Sequence, residues 1–139
     1  MTAEEARRRF ASARHAHLAT ADAGALPHLV PIVFALCGET IYNAVDAKPK
    51  RTRALRRLAN VAANPRATVL VDHYEADWRA LWWVRADGRA RILDVHEAEA
   101  RIALEALAAR YESYRAQPPG GPLLAIDVEC WSSWSASEP

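Results

Sequence analysis

The amino-acid sequence predicts a mainly β protein of the α+β class, folded as a small barrel or closed antiparallel sheet with flanking helices. Six or seven short segments have the β-branched or alternating pattern of strands, whereas only three have the three- and four-residue spacing of helices. A parallel α/β sheet needs a helix between most of its strands, and this chain has too few. The 139 residues fit one domain, residues 1–139, long enough to bury about two thirds of the unfolded surface.

The first third of the chain is predicted to form one helix and three strands. Thr2 and Glu5 have the spacing of a capping box, so a helix is expected from there to about Ala13. Pro31 lies inside a dense apolar run, and because it cannot donate to a strand ladder it requires an edge strand or a bulge. The predicted strands are residues 17–21, residues 29–36 (one strand buried on both faces) and residues 40–45.

The chain after residue 66 is predicted to form four more strands and one long helix. The triplet Ala86–Asp87–Gly88 is a strong turn signal, so residues 81–85 and 90–95 are predicted to pair as a hairpin around it. Glu97 opens a helix that is expected to continue as far as the Pro- and Gly-rich residues 118–121. Its apolar stripe consists of Ala100, Ala103, Leu104, Leu107 and Tyr111, and the remaining strands are residues 67–72 and 123–130.

The segment 46–66 carries the strongest chemical signal. It is rich in Lys and Arg against one acidic residue, Asp46, although the formal net charge of the whole chain is only +1. Free backbone N–H groups in the first turn of a helix favour an anion, and Lys50 and Thr52 would lie near that turn. The sequence therefore predicts an anion-binding helix start for a phosphorylated or polyacidic ligand. An ordinary solvated arginine face is the alternative.

The same segment has the spacing of an amphipathic helix that ends at Asn64–Pro65. Its predicted apolar seam consists of Leu55, Leu58, Val61 and Ala62. The side chains expected on the other faces are those of Arg53, Arg56, Arg57 and Asn60.

No constellation of catalytic side chains stands out, so neither a catalytic residue nor a metal site is predicted. Cys37 and Cys130 lie far apart without a partner at metal-ligand spacing, and the glycines form no dinucleotide-binding fingerprint. His28 is the one histidine singled out, because it borders a predicted buried strand. A basic phosphate-binding segment without a catalytic side chain suits a bound redox cofactor, which supplies its own chemistry.

Charge and hydropathy indicate the cellular setting. A nearly neutral chain argues against a dedicated nucleic-acid-binding protein, and no apolar run reaches membrane-spanning length. Glu4 and Glu5 stand where a signal peptide would be basic. We therefore expect a cytoplasmic protein with neither a nucleic-acid nor a membrane partner.

Trp82 and Trp83 are adjacent in a predicted strand, so their side chains point to opposite faces. One ring can pack into the core while the other is presented outward, where it would suit a dimer interface or a flat ring system. Packing roles for both rings are the alternative. Together with Trp131, these rings present more apolar surface than a small barrel easily buries. This favours a dimer in which two copies of the chain cover each other's apolar surface.

Several motifs in this order resemble the pyridoxamine 5′-phosphate oxidase-like split β-barrel family. They are Leu26–Pro27–His28, Ile41–Tyr42–Asn43–Ala44, Asn60–Val61 and Asn64–Pro65–Arg66. A closer similarity, to an actinobacterial subgroup of F420-dependent oxidoreductases, covers residues 15–131. It rests on the strings Ala44–Val45–Asp46–Ala47–Lys48–Pro49–Lys50–Arg51, Asp72–His73–Tyr74, Asp77–Trp78 and Leu81–Trp82–Trp83–Val84–Arg85.

The resemblance implies a six- to seven-stranded antiparallel split β-barrel of the FMN-binding type, forming a homodimer with a cofactor in each groove between the protomers. It places Arg57 at the cofactor phosphate, with Asn60 as the neighbouring amide. The strand carrying Val30, Pro31 and Ile32 would lie along the ring and ribityl part. The further cofactor-binding residues are expected to be Lys48, Lys50, Thr52, Arg53 and Trp83.

The expected function is F420-dependent transfer of a hydride to or from a small conjugated organic substrate. Coenzyme F420 carries a phosphodiester and an acidic glutamate tail, and a long basic segment complements these charges better than it does the single phosphate of FMN. FMN remains the alternative cofactor. A non-catalytic carrier of a flavin- or haem-type ligand is the alternative function.

Overall fold

Seven strands, four α-helices and one 3₁₀ helix (Trp78–Ala80) make up the computed structural model, which describes residues 1–45 and 51–137, with the backbone alone for residues 51–55. The strands are β1 (Ala16–Ala21), β2 (Pro27–Ile32), β3 (Ala35–Cys37), β4 (Thr40–Ala44), β5 (Arg66–His73), β6 (Trp82–Leu93) and β7 (Leu123–Ser135). The helices are α1 (Ala3–Ser12), α2 (Arg51–Ala63), α3 (Ala98–Arg110) and α4 (Glu112–Ala116).

All seven strands belong to one antiparallel sheet in the order β2-β1-β5-β6-β7-β4-β3. Its two edge strands, β2 and β3, are joined by Val33 and Phe34 alone, so the sheet curls back toward its own edge. The concave side is filled by side chains, with Phe10 of α1 and Phe34 both 0% exposed. This arrangement confirms the predicted mainly β, antiparallel architecture with flanking helices.

Helix α3 covers the other side of β3, β4 and β7 and forms a second core there. Ala100, Ala103 and Leu107 of the predicted stripe are fully buried, and Leu104 and Tyr111 pack against them. The stripe is therefore confirmed, but the helix is shorter than predicted. It ends at Arg110, where the backbone N–H of Tyr111 donates to the carbonyl of Leu107 as a C-terminal cap, and α4 follows as a separate helix.

The predicted hairpin at residues 86–88 was wrong. Strand β6 runs straight through it and pairs with β7 along its whole length, with a bulge between Asp87 and Gly88. A Cβ atom on Gly88 would lie 2.1 Å from the carbonyl oxygen of Asp127. Glycine is therefore required here because another backbone approaches closely. In the sequence, a glycine required for this reason cannot be told from a glycine in a turn. Strand β7 also extends five residues beyond the predicted end, to Ser135.

The apolar run 29–36 is not one strand buried on both faces. Its first part belongs to β2, where Leu29 and Pro31 are exposed while Ile32 is buried, and its last part forms β3. Strand β2 is an edge strand, which confirms the prediction that Pro31 requires an edge strand or a bulge. The N-terminal cap is also as predicted, because the Thr2 hydroxyl accepts from the backbone N–H of Glu5 at 3.1 Å. None of the described helices is long and apolar enough to cross a membrane.

Candidate functional site

The convex side of β2, β1, β5 and β6 carries an exposed apolar surface, which we call the outer apolar face (Ala19, Leu29, Leu70 and Trp83). Strand alternation creates it, because the inward-facing neighbours of these residues fill the core. A shallow hollow of about 650 Å³ lies over the face, and Leu29 is 68% exposed. A filled barrel interior leaves no room for a large ligand, so a flat apolar ligand can be accommodated only outside it.

The polar groups bordering this face are bonded to one another. Asp87 accepts from the Thr68 hydroxyl at 2.8 Å and from Arg85 Nε at 3.1 Å. Arg85 also stacks over Trp83, with its guanidinium carbon 5.8 Å from the ring centroid. The ring of Trp83 is thereby supported from the side as part of a preformed surface.

The tryptophan pair is divided as the strand pattern predicts. Trp83 lines the hollow over the outer apolar face. Trp82 packs against the barrel core, with His73 stacked on it at 6.1 Å and Arg9 at 5.2 Å from its ring. Of the two rings, Trp83 is therefore the one available to a ligand or to a second protomer.

A cluster of one histidine and two arginines, which we call the basic corner (His28, Arg56 and Arg57), lies where α2 packs near the edge of the sheet. Burial lowers the pKa of His28, and the charges of Arg56 and then Arg57 lower it further. His28 pairs across the strands with Thr20, whose hydroxyl accepts from Asn60 Nδ2 at 3.1 Å. The basic corner is therefore anchored to β1 through a buried hydrogen bond.

Two nitrogen atoms of the basic corner are buried without a hydrogen-bond partner among the described residues. They are Nδ1 of His28 and Nε of Arg57. Buried polar atoms in folded proteins are nearly always satisfied, so the unpaired Arg57 Nε–H indicates an acceptor outside the described residues. The unpaired His28 Nδ1 donates or accepts according to the tautomer of the ring. Arg57 also bonds inward, since its Nη1 donates to Oδ1 of Asn43 at 2.9 Å.

The structure changes the expected faces of α2. Asn60 was predicted to lie off the apolar seam, but it is 5% exposed because its amide reaches Thr20 beneath the helix. Ala62 was predicted within the seam and is exposed, whereas Val61 and Leu58 do pack against the core. The helix is therefore rotated relative to the predicted seam, and this rotation also brings Arg57 partly under cover.

The other predicted site residues are placed as follows. Val30 and Ile32 point into the barrel, whereas Pro31 is exposed on the convex side opposite His17. Only Pro31 of the three can therefore present its side chain to the outer apolar face. Thr52 and Arg53 belong to α2 but their side chains are outside the described part, and Lys48 and Lys50 lie wholly outside the described residues.

Sequence reasoning assigned no role to Asn43, which is 2% exposed yet polar. The sequence does contain a signal for this residue, because an asparagine inside the apolar strand Thr40–Ala44 needs hydrogen-bond partners when it is buried. The partners themselves, Val33 and Arg57, are remote in the chain and could not be read from the strand pattern.

A single curled antiparallel sheet with a filled interior and flanking helices is the architecture of a split β-barrel. A sequence model of the family described as pyridoxamine 5′-phosphate oxidase matches residues 2–135. The chain belongs to this family. No curated protein matches the chain in sequence.

Solved structures with the same fold include proteins with different described roles. A conserved hypothetical protein from Mycobacterium tuberculosis is 22% identical, with a TM-score of 0.73 over 98% of this chain and 86% of its own. An FAD-binding protein from Mesorhizobium loti is 25% identical, with a TM-score of 0.66 over 96% and 94%. The haem storage protein HutZ from Vibrio cholerae is 16% identical, with a TM-score of 0.74 over 96% and 93%. The fold is therefore common to flavin-binding and haem-storing proteins.

Proposed function

We propose that this protein is an oxidoreductase that binds coenzyme F420 and transfers a hydride between it and a small conjugated organic substrate. The observation that carries the proposal is the alternation along edge strand β2, which places Leu29 of the outer apolar face and His28 of the basic corner on opposite faces of one strand. One strand is about 5 Å wide. A ligand with a flat ring at one end and a phosphate at the other can therefore reach both surfaces.

The described residues fit such a cofactor. The unpaired Nε of Arg57, and Nδ1 of His28 in the tautomer that carries its proton there, are suited to a phosphate oxygen, which would supply the acceptor that the described residues lack. Arg56 is exposed beside them and adds a second positive charge. Leu29, Leu70 and Trp83 provide the flat apolar support that a deazaflavin ring requires.

The charge of residues 46–53 favours F420 over FMN as the cofactor. Lys48, Lys50, Arg51 and Arg53 provide more cations than one phosphate needs, whereas the acidic tail of F420 has several carboxylates for them to meet. FMN is the alternative, and the FAD-binding relative from Mesorhizobium loti is consistent with a flavin of either kind.

When bound, the cofactor supplies the hydride chemistry, and the protein supplies binding, orientation and exclusion of water. The basic corner holds the phosphate, and the outer apolar face supports the ring. Arg85, fixed by Asp87, keeps the indole of Trp83 in place beside that ring. No side chain is assigned a covalent role.

We further propose that a second copy of the chain covers the outer apolar face, with the cofactor enclosed between the protomers. Leu29 is 68% and Trp134 is 45% exposed, and β7 pairs Trp134 beside Trp83 in the same row. Two such faces can cover each other about a twofold axis, and this pairing would also keep water away from the ring.

Titration of the purified protein with F420 and with FMN, followed by fluorescence, tests the cofactor assignment. F420 is expected to bind at least about tenfold more tightly than FMN, a difference of about 1.4 kcal/mol. Reduced F420 is then incubated with a panel of enones and quinones while its absorbance is followed. Absence of F420 binding would refute the proposal, and preferential FMN binding would replace the cofactor with its alternative.

A haem-type carrier is the second candidate, and the position of His17 favours it. This imidazole lines the hollow over the outer apolar face, where it could serve as an axial ligand to iron. Haem titration of the wild type and of His17→Ala, followed by the Soret band, separates the two functions. A Soret shift that requires His17, together with no oxidation of reduced F420 by any tested compound, would favour the carrier.

A further inference from the structure

We infer that Asn43 is a positioning residue of the anion site, which holds the Arg57 guanidinium in place without neutralising its charge. The inference rests on the proposed function, because it concerns the phosphate-binding end of the same site. It assigns a role to a buried residue on β4 that bonds Arg57 from inside the protein and does not line the outer apolar face.

Asn43 is held at both ends of its side-chain amide. Its Nδ2 donates to the carbonyl oxygen of Val33 at 2.9 Å, and its Oδ1 accepts from Arg57 Nη1 at 2.9 Å. Val33 lies in the short connection between the two edge strands, so the amide links α2 to the backbone just beyond β2. Because the residue is 2% exposed, water cannot replace either bond at low cost.

Arg57 keeps its positive charge unopposed by the described residues. No described carboxylate lies within ion-pair distance of it, and its Nε is buried without a partner there. Burial lowers the pKa of Arg57, and the Tyr114 phenol opposes this effect only in part. A partly buried guanidinium bonded to a neutral amide is a strong attractor for an external anion.

The choice of asparagine follows from these two contacts. A neutral amide can donate to the Val33 carbonyl and accept from Arg57 while leaving the guanidinium charge available. An aspartate of nearly the same shape would pair with Arg57 and cancel that charge, and it would also turn an acceptor toward the Val33 carbonyl. Asn43→Asp should therefore keep the Arg57 guanidinium in place but make its charge unavailable to a ligand.

The test compares ligands that differ in the phosphate-bearing part. Wild type, Asn43→Asp and Asn43→Ala are titrated with F420 and with its phosphate-free deazariboflavin core, and in parallel with FMN and riboflavin. Asn43→Asp is expected to weaken the phosphate-bearing ligands about ten- to a hundredfold and to change the phosphate-free ligands less than about twofold. Asn43→Ala should weaken the phosphate-bearing ligands by a smaller factor and add nothing in an Arg57→Ala background.

Asn64→Asp is the matched control, because it adds a carboxylate just after α2, where Asn64 caps the backbone N–H of Arg66 away from Arg57. It should leave all four affinities unchanged. The inference would be overturned if Asn43→Asp bound F420 and FMN as tightly as the wild type does. It would also be overturned if the variant weakened the phosphate-free ligands as much as the phosphate-bearing ones. If Asn43→Asp fails to fold, Asn43→Ala and the double variant Asn43→Ala/Arg57→Ala allow the same comparison.

The imidazole of His28 provides a readout that needs no cofactor. Asn43→Ala, which adds no charge, should raise the pKa of His28, measured by NMR, because Arg57 is no longer held beside it, whereas an asparagine that does not position Arg57 would leave it unchanged. Asn43→Asp is the variant used with phosphate. Inorganic phosphate should shift the His28 resonances in the wild type but not in the variant. If the wild type binds neither F420 nor FMN, the proposed function fails, and this measurement still decides the role of Asn43.

Discussion

Arg57 has a structural contact with Asn43 and, in the proposed function, a ligand-binding role, and the two can be measured separately. From the sequence it was expected to lie off the apolar seam of α2, so that its loss would spare the fold. In the structure its Nη1 bonds the buried Asn43, so truncation also leaves Oδ1 of that asparagine without a donor. Such an unsatisfied buried acceptor costs about 1–3 kcal/mol.

Arg57→Ala is therefore expected to lower both stability and cofactor affinity. The free energy of unfolding in urea should fall by about 1–3 kcal/mol, and F420 binding should weaken about ten- to a hundredfold. Arg57→Lys should recover part of the affinity by keeping the charge. Arg8→Ala, which removes an exposed arginine from α1, is the control. Equal weakening in Arg57→Ala and Arg8→Ala would mean that only diffuse surface charge attracts the cofactor.

At the scale of elements, Arg91 of β6 ties α3 to the sheet. Its guanidinium donates to both carboxylate oxygens of Glu99 at 2.6 and 2.8 Å and to those of Asp127 at 2.7 and 3.0 Å. The hydrogen bonds from Arg91 hold the pKa values of Glu99 and Asp127 below their ordinary ranges. Burial and the bond to Glu99 raise the pKa of Tyr42 to about 12, so its hydroxyl stays a donor at neutral pH.

Arg91→Gln is expected to lose a pH-dependent part of the stability. Because the folded-state pKa values of the two carboxyl groups are lowered, their contribution is present above pH about 4 and disappears as the pH falls through those lower values. The side chains are 31–48% exposed, so the loss at pH 7 should be about 1 kcal/mol. Denaturation in urea from pH 7 to 2 should show wild type and variant converging at low pH. Arg89→Gln, which breaks the exposed pair with Glu129, should show no such convergence.

The bulge in β6 gives a second prediction at this scale. In Gly88→Ala the added Cβ would lie 2.1 Å from the carbonyl oxygen and 2.9 Å from the carbonyl carbon of Asp127, so two paired strands must separate. We expect a loss of about 1–3 kcal/mol or more. Gly120→Ala has no heavy atom within 4 Å of the added Cβ and should change stability by less than about 0.5 kcal/mol. Similar thermal midpoints for the two variants would contradict this account of the bulge.

At the scale of the whole molecule, the curled sheet divides the apolar residues between a filled interior and an uncovered outer apolar face. The interior cluster is closed by α1, and the second cluster is closed by α3. The outer apolar face has no helix over it among the described elements, and the proposed function requires a ligand or another chain to cover it. The proposed dimer satisfies this requirement with the same surface that would hold the cofactor ring.

Leu29→Glu should therefore disrupt the dimer and leave the barrel folded. Leu29 is 68% exposed in the single chain, so the charge adds little strain to the protomer, but it would face a second apolar surface in the dimer. Sedimentation velocity should show at least a tenfold weaker association, about 1.4 kcal/mol, with an unchanged thermal midpoint at high dilution. Ile102→Glu, at a 55% exposed position on α3, should sediment as the wild type does. A wild-type chain that stays monomeric at micromolar concentration would refute the dimer.

The sequence by itself determined the features that depend on local pattern. Strand and helix patterns predicted a mainly antiparallel sheet of six or seven strands and the stripe of α3, and the spacing of Thr2 and Glu5 predicted the first helix cap. The order of motifs along the chain indicated the family. Strand alternation also predicted opposite faces for Trp82 and Trp83, because a strand has a period of two residues wherever it lies.

Only the tertiary structure decided which distant backbone or side chain each residue meets. Gly88 has the local signal of a turn, but the approach of Asp127 makes it the site of a bulge. Asn60 has the spacing of a helix position off the apolar seam, but its hydrogen bond to Thr20 places its side chain between the helix and the sheet. The link from Arg57 through Asn43 to Val33 joins three segments that no pattern along one chain relates. Local periodicity records which way a side chain points, whereas long-range hydrogen bonds and close backbone contacts are set only when the sheet curls.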